Sequence, residues 1–198
     1  MYEGMSIGLF GGSFNPAHSG HMHVALTGLR AFELDQIWWM VSPQNPLKPK
    51  QPSYESRVKT VEALGLPPKM RISHLETRFG TRYTIDTIKV AKNRFPETRF
   101  VFLMGADNLL QMPKWRDWHG IMNALPLGVI SRPGKNNSTL KARLGKAASV
   151  YRNNRVPELH SGIVKYCNAP AWCYVTPPMN SLSSSALRAN GLAASNAE

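Results

Sequence analysis

Residues 6–21 read Ser-Ile-Gly-Leu-Phe-Gly-Gly-Ser-Phe-Asn-Pro-Ala-His-Ser-Gly-His. The short apolar run over 6–10 is typical of a buried strand, and from Gly20 onward apolar side chains recur at helical spacing. Between these two segments, Gly11 and Gly12 allow the backbone to turn sharply and to approach a ligand closely. The following helix presents free N–H groups and the positive end of its dipole to an anion. The stretch therefore predicts a strand, a phosphate-binding loop and a helix.

The rest of the chain repeats the alternation of strand and helix. Further strands are predicted over 36–41, 70–75, 99–104, 125–131 and 171–176, and helices over 54–64, 85–95, 140–151 and 183–189. Near-continuous apolar strands separated by amphipathic helices indicate a parallel sheet covered on both faces. We therefore predict an α/β fold, a Rossmann-like doubly wound parallel sheet with helices on both faces, in a single domain over 1–190 with a flexible tail over 191–198. Ligands of such sheets bind beyond the carboxyl ends of the strands.

Composition narrows the classes of protein that fit this chain. Of the 198 residues, 42% are hydrophobic and 18% are charged, which supplies material for one core and argues against disorder. Two cysteines cannot form a disulfide scaffold, and neither a long apolar run nor a secretory leader is present, so we expect a cytoplasmic protein without a membrane span. The formal net charge of +12 favours nucleic acid, anionic lipid or small phosphate-rich substrates, or it reflects only a solvated basic surface.

His18 and His21 lie three residues apart at the predicted helix start, so both imidazoles can face one pocket, and Gly20 between them keeps the surface open. One alternative is a pair of buried, hydrogen-bonded core histidines. Another is a metal site, although no thiol or carboxylate cluster accompanies the pair. Because the loop is the one in which this fold binds phosphates, we interpret the histidines as phosphate ligands.

A second polar cluster, Ser183-Ser184-Ser185-Ala186-Leu187-Arg188, follows the last predicted strand. Hydroxyls and free N–H groups at a helix start can bind anions, and Arg188, one turn later, can bring a fork of donors to the same space. The alternative is an ordinary serine cap of a short helix.

The two clusters resemble the two signatures of the nucleotidyltransferase superfamily. Residues 11–21 are similar to G-G-[ST]-F-[DN]-P-x-H-x-G-H, and residues 182–188 are similar to I-S-S-T-x-I-R, with leucines for the isoleucines and serine for the threonine. The resemblance implies the nucleotidylyl transferase fold, with His18, His21 and Arg188 as catalytic residues. It also implies an ATP-binding set, which consists of Gly11, Gly12, Ser13, Phe14, His18, His21, Ser184, Ser185 and Arg188.

Blocks between these signatures resemble the nicotinate-nucleotide adenylyltransferase family. Residues 82–88 are similar to its S-Y-T-x-x-T-L block, residues 105–115 to its G-x-D-x-L…W block, and residues 130–134 to its R-P-G turn. The resemblance adds Gly105, Asp107 and Arg132 to the ATP-binding set, and implies Asn15, Lys48, Thr84 and Trp115 as ligands of the nicotinate nucleotide. The loop over 42–48 is shorter than in the family and lacks the histidine before Lys48, and the chain after Arg188 is shorter too.

Three of these residues also have a structural alternative. Asp107 can accept hydrogen bonds from ribose hydroxyls, or it can cap the short helix that follows its strand. Trp115 offers an aromatic face to a cationic pyridinium ring, or it lies on a helix at an interface. Thr84 can bind the nicotinate carboxylate through its backbone N–H or hydroxyl, cap its helix, or do both.

The resemblance implies transfer of AMP from ATP to nicotinate mononucleotide with release of pyrophosphate, and Mg²⁺ carried by the ATP rather than by metal-binding residues of the protein. The phosphate nucleophile is already ionised, so the reaction needs neither a general base nor a covalent intermediate.

Two other functions compete with this one. In pantetheine-phosphate adenylyltransferase, threonine stands at the position of His18 and the Trp115 block is missing. A basic nucleic-acid-binding module fits the net charge, but the interleaved aromatic and basic clusters of such modules are missing. We expect ATP and nicotinate mononucleotide as partners, with no nucleic acid and no membrane, and a homo-oligomer stays open.

Overall fold

The computed structural model describes residues 2–43, 51–131 and 138–177, which build one seven-stranded sheet. Its strands are β1 Ser6–Gly12, β2 Gln36–Val41, β3 Met70–Ser73, β4 Arg99–Gly105, β5 Leu127–Ile130, β6 Arg155–Val156 and β7 Trp172–Val175. Each neighbouring pair is parallel, in the order β3-β2-β1-β4-β5-β7-β6. The chain builds outward from β1 to β3 and then returns to place β4 on the other side of β1. The strand order therefore reverses between β1 and β4, where ligands of such sheets bind.

Helices follow most of the strands in the described residues. The α-helices are α1 Ser19–Ala31, α2 Tyr54–Glu62, α3 Leu75–Arg78, α4 Thr84–Arg94, α5 Ala106–Gln111, α6 Trp118–Ala124, α7 Ser138–Leu144 and α8 Lys146–Val150. Three 3₁₀-helices span Met112–Lys114, Arg152–Asn154 and Glu158–Tyr166. Because α1 follows β1 after a short connection, and α4 follows β3 after the single turn of α3, both helices begin at the carboxyl edge of the sheet.

The two faces of the sheet carry separate apolar clusters. Successive side chains of a strand point to opposite faces, so Phe102 of β4 joins one cluster and Leu103 joins the other. The first cluster packs against α4, α5 and α6, and the second packs against α1, α2 and the 3₁₀-helix over 158–166. Helices therefore cover both faces of a fully parallel sheet, as predicted.

Two predicted elements differ from the observed ones. The apolar run over 70–75 predicts one strand, but β3 ends at Ser73, and Leu75 begins α3, where its side chain is buried. The apolar stripe over 140–151 predicts one helix, but Gly145 ends α7 and caps α8, because its extended backbone (φ −70°, ψ 166°) is not helical. The 3₁₀-helix over 158–166 and the two-residue β6 were not predicted.

The predicted helix over 183–189 and the predicted tail over 191–198 lie outside the described residues. Within residues 2–43, 51–131 and 138–177, no helix is long and apolar enough to cross a membrane.

Candidate active site

The loop between β1 and α1 lies at the carboxyl edge of the sheet, beside the point where the strand order reverses. Phe10 of β1 pairs with Leu103 of β4, so Gly12 and Gly105, each two residues further on, end these strands side by side. Ser13 and Phe14 are buried beneath the loop, whereas Asn15 is exposed. The fold thus places the predicted phosphate loop in the crevice where ligands of doubly wound sheets bind.

His18 and His21 form a reciprocal cap at the start of α1. The backbone N–H of Gly20 donates to Nδ1 of His18 (3.1 Å), and the backbone N–H of His18 donates to Nδ1 of His21 (3.2 Å). The two ring centroids are 3.9 Å apart. Because each Nδ1 accepts a hydrogen bond, the neutral ring carries its own hydrogen on Nε2. Each ring therefore has an Nε2–H that can donate to a phosphate oxygen, at a helix start that also favours anions.

Gly12 and Gly20 are needed because two rings of the loop lie against them. A Cβ on Gly12 would approach the Phe14 ring to 2.9 Å, and a Cβ on Gly20 would lie 3.0 Å from Cε1 and Nδ1 of His18. A Cβ on Gly11 would meet only ordinary contacts, the nearest at 3.7 Å. Gly20 thus allows the His18 ring to fold back onto the start of α1, and Gly12 makes room for the protein's own phenylalanine.

Gly20→Ala is expected to lower kcat/KM about 10- to 100-fold, because the new methyl group displaces the His18 ring by a few tenths of an ångström. The same change favours the helix by about 0.5–1 kcal/mol, so the melting temperature should not fall. Turnover in the reaction that the family resemblance implies measures the first effect, and thermal unfolding measures the second. Ser19→Ala, at the neighbouring exposed position, is the matched control. Activity of Gly20→Ala within twofold of wild type would contradict this account of the loop.

Two residues of helix α2, which the sequence analysis did not identify, hold the phosphate loop in place. The Arg57 guanidinium, which is only 1% exposed, donates to the carbonyl oxygens of Ser13 (2.8 Å), Pro43 (2.6 Å) and Pro52 (3.1 Å). One turn later, Thr60 Oγ1 accepts from the backbone N–H of Ala17 (3.0 Å) and lies 3.3 Å from the Phe14 carbonyl oxygen. Both ends of the loop are therefore fixed to one helix.

Phe14 anchors the middle of this loop. Its backbone is left-handed (φ 45°), an unusual conformation for a bulky residue, and its ring is buried. The ring packs against Phe10, Trp39 and His21, with the centroids of Phe14 and His21 5.1 Å apart. Phe14 therefore supports the His21 imidazole from the core side of the loop.

Asp107 lies in the first turn of α5, directly beyond the end of β4. The N-cap of α5 is Gly105, so Asp107 does not cap the helix, and that alternative is wrong. Its side chain is half-buried and lies at the same edge of the sheet as the histidine loop. A carboxylate at this place can accept hydrogen bonds from a pair of ribose hydroxyls.

Thr84 and Trp115 are brought to the same side of the sheet. Thr84 is the first residue of α4, and the N-cap is Tyr83, which makes no side-chain cap; the prediction that Thr84 caps its helix is therefore wrong. Tyr83 and Trp115 both pack on the apolar cluster of this face, and Trp115 lies edge-on to Phe102. The two segments meet where the Arg116 guanidinium lies over the Tyr83 ring, 4.4 Å from its centroid. Trp115 is therefore partly buried between a strand and a turn, not laid along a helix.

Comparison with known proteins places the chain in a family. A family model described as cytidylyltransferase-like matches residues 9–190. A relative from Roseobacter denitrificans is 46% identical over 189 residues, which cover 95% of this chain and 94% of that protein, and one from Parvibaculum lavamentivorans is 44% identical over 190 residues, covering 95% and 93%. Both are named probable nicotinate-nucleotide adenylyltransferase. The chain belongs to the nicotinate-nucleotide adenylyltransferase family.

Solved structures agree with the fold of this family member. A Plasmodium falciparum nicotinic acid mononucleotide adenylyltransferase complexed with NaAD matches it with a TM-score of 0.66 at 19% identity, covering 93% of this chain and 83% of that one. The same protein complexed with APC matches with a TM-score of 0.63 at 18% identity. At such identities the likeness bears on the fold alone, and it confirms the predicted doubly wound sheet.

Five residues that the family resemblance implies lie outside the described ranges: Lys48, Arg132, Ser184, Ser185 and Arg188. Their roles stay predictions. The described ones fall into two groups at the carboxyl edge of the sheet. The β1–α1 loop and the end of β4 hold Gly11, Gly12, Ser13, Phe14, Asn15, His18, His21, Gly105 and Asp107. The second group consists of Thr84, which begins α4, and Trp115, which follows the 3₁₀-helix over 112–114.

A half-buried carboxyl group supports the turn before Thr84 of this adenylyltransferase family member. Glu76 Oε1 accepts from the Thr87 hydroxyl (3.4 Å), which lies 2.8 Å from the Thr81 hydroxyl. The backbone N–H of Thr81 donates to the Glu76 carbonyl oxygen (3.0 Å). Burial raises the pKa of Glu76 from its ordinary value of 4.5 to about 7, although the Thr87 hydrogen bond and the charge of Arg57 oppose the shift. Sequence reasoning missed this residue, because an isolated glutamate gives no sign of burial.

Glu76→Gln is expected to make the protein more stable than wild type above pH 7 and equally stable near pH 4.5. The raised pKa means that the unfolded chain ionises first, so between pH 4.5 and about 7 wild type loses up to about 1.4 kcal/mol of stability per pH unit relative to the variant. Above pH 7 both states are ionised and the difference levels off. Urea unfolding at pH 5, 6, 7 and 8 measures it, with Glu62→Gln, an exposed carboxylate, as the control for net charge. A difference that does not change with pH would contradict the prediction.

Proposed function

We propose that this chain transfers AMP from ATP to nicotinate mononucleotide, giving nicotinate adenine dinucleotide and pyrophosphate, a reaction of NAD biosynthesis. The observation that carries the proposal is the reciprocal cap of His18 and His21, which gives two Nε2–H donors beside one helix start at the switch point of the sheet. Membership of the nicotinate-nucleotide adenylyltransferase family supports the choice of substrates.

The proposed reaction is an in-line attack. The 5′-phosphate of nicotinate mononucleotide attacks the α-phosphorus of ATP, the new phosphoanhydride bond forms, and the bond to pyrophosphate breaks. The attacking phosphate is an anion at neutral pH, so no residue has to remove a proton. Catalysis then consists of positioning and of stabilising charge on the phosphate oxygens. Imidazole Nε2–H groups and backbone N–H groups are donors suited to that task.

In this scheme the two groups of residues divide the substrates between them. His18 and His21 bind the triphosphate, and Ser184, Ser185 and Arg188 hold its β- and γ-phosphates. Asp107 accepts from the ribose of ATP, and Arg132 completes the ATP-binding set. Asn15, Lys48, Thr84 and Trp115 bind the nicotinate nucleotide, with the Trp115 face toward the cationic ring.

Mg²⁺ is proposed to arrive bound to ATP. Within the described ranges, no three His, Cys, Asp or Glu side chains are grouped to hold a metal ion. The donors of the loop are N–H groups, which suit anions, whereas Mg²⁺ prefers carboxylate and phosphate oxygens. The triphosphate itself therefore supplies the ligands, and the ion shields its charge. We also expect a reducing compartment such as the cytoplasm, since Cys167 and Cys173 are free thiols.

Pyrophosphate release with ATP and Mg²⁺ tests this function. Nicotinate mononucleotide, nicotinamide mononucleotide and phosphopantetheine are offered separately to the wild-type protein. Release should be fastest with the nicotinate compound. Release only with phosphopantetheine would retain the phosphate loop but overturn the assignment of Thr84 and Trp115. No release with any of the three compounds would overturn the proposed function.

A further inference from the structure

Arg116 stands between the two segments proposed to bind the nicotinate ring. It follows Trp115 in the chain, and its guanidinium lies over the ring of Tyr83, the residue before Thr84, at 4.4 Å from the ring centroid. The side chain of Arg116 is otherwise exposed at this edge of the sheet. A cation thus follows Trp115 directly in the chain and contacts the residue that precedes Thr84.

The charge of Arg116 is not used in an ion pair with the residues the structure describes. Its neighbour Asp117 accepts from the backbone N–H of Gly120 and caps α6. The ion pair recorded in the described part of the chain is elsewhere, between Lys165 and Glu33. The Arg116 guanidinium carbon lies 4.4 Å from the centroid of the Tyr83 ring, and the side chain is exposed, so the guanidinium can present N–H donors to a ligand.

We propose that the Arg116 side chain is the specificity-determining group that selects a pyridine nucleotide bearing a carboxylate over one bearing a carboxamide. This inference rests on the proposed function. A carboxylate offers two anionic oxygens that match the planar fork of N–H donors. A carboxamide offers one neutral oxygen, and its NH₂ group meets other N–H donors without an acceptor. The arginine therefore favours the acid by attraction and disfavours the amide by mismatch.

Tyr83 has a supporting part in this scheme. Contact with its ring restricts the positions that the guanidinium can take before the substrate arrives. Lysine at position 116 would keep the positive charge but lose both the fork and the stack. Charge alone and oriented donors can therefore be distinguished by comparing Arg116→Gln with Arg116→Lys.

The test compares kcat/KM for nicotinate mononucleotide with kcat/KM for nicotinamide mononucleotide. Arg116→Gln should lower the acid-to-amide ratio roughly tenfold, mostly through KM for the acid, and leave KM for ATP unchanged. Arg116→Lys should give an intermediate ratio. Lys114→Gln removes an equally exposed charge two residues earlier and should leave the ratio at the wild-type value. Calorimetric binding of both nucleotides without ATP gives the same ratio without turnover.

The outcomes separate this inference from the function on which it depends. If wild type does not turn over nicotinate mononucleotide, the proposed function fails. If wild type is active but Arg116→Gln changes acid and amide equally, or neither, Arg116 does not select the acid. A Lys114→Gln variant that shifts the ratio as much would show general charge attraction and would also overturn the inference. Circular dichroism and the KM for ATP report whether the variants are folded.

Discussion

His18→Asn is expected to lower kcat for AMP transfer about 100- to 1,000-fold, because the reaction loses one Nε2–H donor to the charge that develops on the phosphates. Stability should change little. Asparagine is among the best N-cap residues, so its side-chain oxygen can accept the Gly20 N–H that Nδ1 of His18 accepts now. The substitution therefore removes the proposed phosphate donor while keeping the cap. Pyrophosphate release at saturating substrates measures the first effect, and thermal unfolding measures the second.

Two further variants sharpen this test. His18→Ala removes the cap as well, so it should add a loss of about 1 kcal/mol of stability to the same loss of kcat. His23→Asn makes the same chemical change two positions beyond His21 on α1, outside the proposed site, and controls for the loss of a histidine from this helix. If His18→Asn kept kcat within a few-fold of wild type, His18 would be a structural cap only.

The sequence was most informative where burial dictates residue type on both faces of an element. β2 is observed over Gln36–Val41, the run predicted from its apolar residues, because a central parallel strand is apolar along its whole length. The apolar stripe over 140–151 wrongly predicted one continuous helix. Ala147 and Tyr151 face the core, but Leu144 is exposed, because Gly145 interrupts the helix between them and an apolar pattern does not record backbone geometry.

The sequence predicts which residues of the candidate site come together, but not the hydrogen bonds that orient them. A separation of three residues at a helix start is enough to bring the His18 and His21 rings together. Which nitrogen carries the hydrogen depends on two backbone N–H groups, and these follow only from coordinates. The sequence predicts Thr84 as the N-cap of α4, because threonine is a favoured N-cap residue and tyrosine is not. The observed N-cap is Tyr83.

Among the residues that hold the phosphate loop in place, Arg57 is the one that the sequence itself could have indicated. It lies next to Val58 and four residues before Val61, on the inner face of α2, where an arginine is out of place unless it has partners. Its partners are carbonyl oxygens of three loop residues that lie 5 to 44 positions away in the chain, so no local pattern identifies them.

Arg57→Met is expected to destabilise the protein by about 3 kcal/mol, because methionine fills much of the same volume but leaves the carbonyl oxygens of Ser13, Pro43 and Pro52 without their donor. Pro43 and Pro52 lie on either side of Lys48 in the sequence, and Ser13 begins the phosphate loop. Losing the clamp should therefore also lower kcat/KM at temperatures well below the melting transition, by about tenfold or more.

The stability and activity effects of Arg57 can be separated by a charge-matched pair of variants. Arg57→Lys keeps the positive charge with a single donor head and should fall between wild type and Arg57→Met on both scales. Lys59→Met removes an exposed charge from the same helix and should change neither. Urea unfolding measures the stability of each variant. Pyrophosphate release is measured about 20 °C below the melting temperature of that variant, where a two-state domain is folded. A lower unfolding free energy with unchanged kcat/KM would mean that Arg57 holds the fold but does not position the substrates, since a loop that binds phosphate to within a few tenths of an ångström cannot lose its anchor without losing rate.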